Sequence, residues 1–152
     1  MSGAGAPQFE IDASGLAITV IVTSWHTEIT DGLLAGAERA LQKAGNDVYS
    51  IVRVPGAFEL PLAAKWAIEE GAEVVIALGV VIRGGTPHFE FVCDSATEGL
   101  TRVQLDTGVP IGFGLLTVDT EQQALDRAGL KGSKEDKGAE AVEAAVLMAR
   151  LK

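Results

Sequence analysis

Five consecutive residues, Gly84-Gly85-Thr86-Pro87-His88, have the types and spacing to bind an anion and to hold a base beside it. Glycines let a backbone approach a ligand closely and offer its N–H groups. Thr86 can cap a following helix, and proline suits a first helical position. The positive end of that helix then favours an anion such as a phosphate. His88 falls in the first helical turn, where the same dipole disfavours imidazolium. A neutral imidazole can accept a proton, as a general base must. The five residues read equally well as an ordinary capped turn ending in a surface histidine, so the question is what else in the chain could join them.

Three other places supply partners. Trp25, in Ser24-Trp25-His26, could stack its flat ring on a planar heterocycle or pack on a neighbouring helix. Nothing nearby in sequence orients His26, which reads as a surface histidine. In Pro55-Gly56-Ala57-Phe58-Glu59, Glu59 lands where a helix dipole favours a carboxylate, and it can accept hydrogen bonds from ligand hydroxyls or ring N–H groups. Phe58 reads as core or pocket wall. Arg127 could fork onto a phosphate. Lys137 closes a charged run, 131–137, and by itself reads as a solvated cation alongside Lys131 and Lys134. Trp66 reads as helix packing. No His/Cys/Asp cluster has metal-ligand spacing, so no metal is expected. No Walker loop, G-x-G-x-x-G or nucleophile elbow is present.

The elements that must position these residues follow from apolar patterning. Residues 16–22, 48–54 and 74–81 are continuous apolar runs rich in β-branched types, which predicts strands covered on both faces. Residues 110–118 form a fourth candidate, weakened by Gly112 and Gly114. Helical spacing falls between the strands, over 27–44, 57–70, 88–106, 120–128 and 134–151, with Gly45-Asn46, Gly71 and Gly129 as stops. Strand alternating with helix predicts an α/β fold with a mostly parallel sheet and helices on both faces. Ligands in such sheets bind beyond the carboxyl ends of the strands. That rule selects 24–26, 55–59, 83–88 and the segment after Val118.

At 152 residues the chain reads as one domain, 15–152, behind a small polar tail, 1–14, expected to be flexible. A net charge of −9 argues against nucleic acid and anionic membrane as partners, since no basic face is available to neutralise phosphates. The single cysteine, Cys93, excludes an internal disulfide and reads as a small buried hydrophobe. No apolar run approaches the ~18 residues of a membrane span, and no signal-peptide layout opens the chain, so the cytoplasm is the expected compartment.

Two motifs together, Val54-Pro55-Gly56-Ala57-Phe58-Glu59-Leu60-Pro61 and Val81-Ile82-Arg83-Gly84-Gly85-Thr86-Pro87-His88-Phe89, resemble the lumazine synthase (6,7-dimethyl-8-ribityllumazine synthase) family. The likeness runs from about Gly15 through Arg127-Ala128-Gly129 and Lys137-Gly138 to the last helix. It implies a three-layer α-β-α sandwich with a four-stranded parallel sheet of flavodoxin-like order. It also implies the penultimate step of riboflavin biosynthesis. There a 5-amino-6-(ribitylamino)pyrimidine-2,4-dione condenses with 3,4-dihydroxy-2-butanone 4-phosphate, releasing phosphate and water, with no cofactor. By position, Trp25 would stack on the pyrimidine, with Val81 and Ile82 lining the ring through their backbone. Ala57 and Glu59 would hold the ribityl chain, with Ser24 and Phe58 nearby. Gly85 and Thr86 would bind the phosphate, and His88 would transfer protons. Phe113, Arg127 and Lys137 would come from an adjacent subunit, Arg127 gripping the phosphate, so a homopentamer is the smallest working unit. Two departures stand out. Gly85 occupies a position where many relatives carry aspartate. The segment 127–137 is slightly longer than in relatives that build sixty-subunit icosahedral shells, which favours an isolated pentamer and leaves Lys131 and Lys134 as rivals to Lys137.

Overall fold

The computed structural model describes residues 5–152. Four parallel strands form one sheet: β1 (Ile18–Thr23), β2 (Ser50–Val54), β3 (Val74–Ile82) and β4 (Ile111–Val118), in the order β2-β1-β3-β4. The helices are α1 (Thr27–Lys43), α2 (Leu60–Glu69), α3 (His88–Thr107), the short α4 (Glu121–Leu125) and α5 (Lys137–Leu151), with a 3-10 turn at Ala57–Glu59 leading into α2.

Alternation along the strands sorts the core into two layers. Val20, Val22, Ile76, Leu78 and Leu116 face α1 and α5, where they meet Leu33, Ala37, Leu41, Val142 and Val146. Ile21, Val75, Ala77 and Leu115 face α2 and α3, against Leu60, Ala64, Ala96 and Leu100. This is the three-layer α-β-α arrangement expected, and β3 at its centre is buried on both faces through Val80.

β2 departs from expectation. It is an edge strand paired only with β1, and Ile51 and Val52 remain exposed. The run 48–54 carries the same residue types as a central strand, so composition could not reveal its edge position. α5 begins at Lys137 rather than Lys134, because Asp136 caps it by accepting from the Ala139 N–H at 3.1 Å. α4 is also shorter than expected, its start fixed by Thr120 accepting from Gln123 N–H.

Of the segment 1–14 read as a flexible tail, residues 1–4 lie outside the described residues. Its inner end belongs to the folded body: Ala13 is buried and bonds the Ala44 carbonyl at 2.9 Å. Arg150 donates to the carbonyls of Asp12 and Ser14. The buried Asn46 amide donates to Ala13 and Leu16 carbonyls, both at 2.9 Å. No helix among the described residues is long and apolar enough to cross a membrane.

Candidate active site

The carboxyl ends of β1, β2 and β3 open into one cavity of about 680 Å³. Its walls are Trp25 and His26 after β1, Pro55–Glu59 after β2, Val80–Ile82 of β3, and His88, Phe91 and Val92 from the first turns of α3. The topology therefore brings together three of the four places selected from sequence. Trp25, Phe58 and Phe91 stay largely solvent-exposed, so large apolar rings rim the opening.

Each side chain has a local reason for its place. Ser24 ties the ends of β1 and β2 together: its hydroxyl donates to the Val54 carbonyl at 2.9 Å and its N–H to the Pro55 carbonyl at 3.3 Å. It is a strut and does not line the cavity. Trp25 lies against Gly56, close enough that a Cβ there would touch Cδ1 and Nε1 of the indole at 3.4 Å. Glu59 Oε2 accepts from the Gly56 N–H at 3.0 Å, fixing the carboxylate at the cavity edge. Ala57 is buried beneath it, and Val81 and Ile82 are half-buried at the end of β3.

His26, read from sequence as a surface histidine, is indeed exposed. It lines the cavity and holds a left-handed backbone (φ 55°, ψ 68°), the only non-glycine residue with positive φ among those described. Such a conformation costs about 1–3 kcal/mol and persists only where its surroundings enforce it. Here the His26 carbonyl accepts from the N–H groups of Ile29 and Thr30, both at 3.0 Å, and from the Thr30 hydroxyl. Residue type alone carried no sign of this. Phe91 and Val92 were detectable: they share a helical face with His88 at spacings of three and four.

The glycine-rich turn differs in detail from expectation. Thr86 does not cap α3; Pro87 occupies the cap position, and no side chain caps the helix. The first-turn N–H groups of α3 are therefore not taken by a cap side chain. Gly84, Gly85 and Thr86 are exposed, with open space around both glycines, and His88 is the first helical residue. Arg83, unassigned from sequence, binds Asp119 at 2.8 Å and also Glu90. These bonds, Asp119 first, raise the guanidinium pKa further, and Arg83 holds the Glu90 carboxyl below the ordinary glutamate range.

Phe113, Arg127 and Lys137 do not line this cavity. Phe113 stands half-exposed on β4. Arg127 donates to the Gln123 carbonyl at 2.8 Å and pairs through Nε with Glu135 at 3.5 Å. Lys137 is no solvated cation. Its side chain is only 16% exposed and pairs with Glu135 at 3.4 Å and Glu140 at 3.2 Å. The nearly buried Glu135 carboxylate thus sits between both cations. Lys134, by contrast, is 79% exposed. No group of three or more His, Cys, Asp or Glu side chains able to hold a metal stands together among the described residues.

The family model for 6,7-dimethyl-8-ribityllumazine synthase matches residues 15–152. Proteins of that name from Kineococcus radiotolerans, Leifsonia xyli and Streptomyces coelicolor are 64%, 62% and 56% identical to this chain. The matches cover 96%, 98% and 98% of this chain, and 91%, 95% and 93% of the respective relatives.

Proposed function

The chain belongs to the 6,7-dimethyl-8-ribityllumazine synthase family, and from that premise we propose how its residues carry the reaction. It is a transferase of riboflavin biosynthesis that condenses the ribitylaminopyrimidinedione with the butanone phosphate. The observation that carries the site assignment is the meeting, in one cavity, of the Trp25 ring, the Glu59 carboxylate and His88 at a helix start with no side-chain cap.

In this reading Trp25 stacks on the pyrimidine and the backbone at Val81 and Ile82 borders its ring. Glu59 and Ala57, with Phe58 alongside, hold the ribityl chain, and Ser24 fixes the strand ends beneath it. Gly85 and Thr86 offer N–H groups to the phosphate. The 5-amino group attacks the ketone carbonyl, and loss of water leaves an imine. Phosphate is then eliminated, and the ribityl-bearing nitrogen closes the ring with loss of a second water. His88 moves the protons these steps require. Holding the amine and ketone in register supplies most of the acceleration, up to ~7–11 kcal/mol in favourable cases. Proton transfer by His88 adds the smaller share, on the order of 10²–10⁴-fold.

Arg127, Phe113 and Lys137 reach the site from a neighbouring copy, Arg127 on the phosphate. Their position away from the cavity within one chain supports a shared site and a pentamer as the working unit. The burial of Lys137 supports it over Lys131 and Lys134 as the contributing lysine. A single cysteine suits a reducing cytoplasm.

An absorbance assay with both substrates tests this reading. Lumazine should appear well above the uncatalysed rate. Lumazine binding without acceleration would make the protein a binder on this scaffold and leave His88 an ordinary helix-start histidine.

A further inference from the structure

We propose that Arg83 is a positioning residue that sets the shape of the phosphate turn, acting as a clasp across it rather than as a phosphate ligand. The inference rests on the assignment of Gly85 and Thr86 to the phosphate.

Arg83 is the first residue beyond β3, and its N–H continues the ladder onto β4 by bonding the Val118 carbonyl at 2.9 Å. Its side chain then reaches in two directions. Nε donates to Asp119 Oδ1 at 2.8 Å, at the corner after β4, and Nη1 donates to Glu90 in the first turn of α3. The guanidinium carbon also lies 4.4 Å from the centroid of the Phe89 ring. Asp119 is itself fixed, its N–H bonded to Gln123 Oε1 at 2.8 Å. One side chain therefore joins the strand entering the turn, the helix leaving it and the neighbouring corner.

The turn between has little else to hold it. Gly84 and Gly85 stand in open space, Thr86 makes no cap, and the helix start is closed by a backbone bond from Glu90 N–H to the Pro87 carbonyl at 3.1 Å. Backbone N–H groups bind an anion well only when they converge, so whatever fixes this turn fixes its affinity. Both carboxylates and the guanidinium are about half exposed, and such pairs add little to global stability. Variants should therefore fold.

The test compares Arg83→Ala, Arg83→Lys, Asp119→Asn and Glu90→Gln for KM of each substrate, for melting temperature, and for affinity toward inorganic phosphate by calorimetry. A clasp predicts that Arg83→Ala raises the KM of the butanone phosphate about 10–100-fold. The KM of the pyrimidine and the melting temperature should stay near wild type, and Arg83→Lys should recover part of the loss. Asp119→Asn and Glu90→Gln should shift the phosphate terms in the same direction. If either carboxylate variant instead tightens phosphate, the freed guanidinium is a direct ligand and the clasp is wrong. Parallel loss of both KM values with a lowered melting temperature also overturns it. Should the wild type make no lumazine, the functional reading falls, while the phosphate titrations still decide the clasp.

Discussion

At the scale of single residues, the proposed reaction divides the site's labour between orientation and proton transfer. His88 sits first in α3 and lines the same cavity as Trp25 and Glu59. Replacing it with alanine should lower kcat about 10²–10⁴-fold with small effect on either KM, read by steady-state kinetics. An unchanged kcat would remove it from the chemistry. That Trp25, Glu59 and His88 would meet in one cavity was legible, because each follows a strand and differs in type from its surroundings. What they touch was less so. Thr86 has the right type for a cap, yet Pro87 holds that place. The strained backbone of His26 leaves no mark in its residue type. Arg83 meets Asp119 across 36 residues, a separation that no local pattern spans.

At the scale of elements, the sheet places the site, and glycines let α1 pack closely against α5 and against the segment that follows α4. A Cβ on Gly138 would fall 2.1 Å from the Leu33 carbonyl oxygen, and one on Gly32 would fall 2.6 Å from that of Ala128. The obstacles are backbone, so no side-chain rotation relieves them. Gly138→Ala, in the first turn of α5, should therefore destabilise by about 1–3 kcal/mol. Denaturant unfolding measures this directly, and a gain in stability would show that this packing has slack. All four strands and all five helices were legible from period and punctuation, with β3 within one residue of its expected end. The edge position of β2 was not legible in its own residues, because pairing order is set by crossovers; it was implied only by the flavodoxin-like order that the family resemblance carried. The glycine packing was also overlooked, since attention to apolar spacing passes over glycine as a contact residue.

At the scale of the whole molecule, one chain presents a cavity lined by the Trp25 ring, the Glu59 carboxylate and the His88 imidazole. Its strongest anion-gripping candidate, Arg127, lies off that cavity beside Glu135. The proposed closed ring, in which each copy would complete its neighbour's site, would reconcile the two. The most direct measurement mixes two inactive proteins, His88→Ala and Arg127→Ala, unfolds them together, refolds them and assays lumazine formation. Each alone should be at least about 10²-fold impaired. In randomly mixed rings about one interface in four joins an intact His88 to an intact Arg127, so activity should recover to roughly a quarter of wild type. A mixture no more active than its separate components would contradict a shared site, and would place every residue the reaction needs within a single chain.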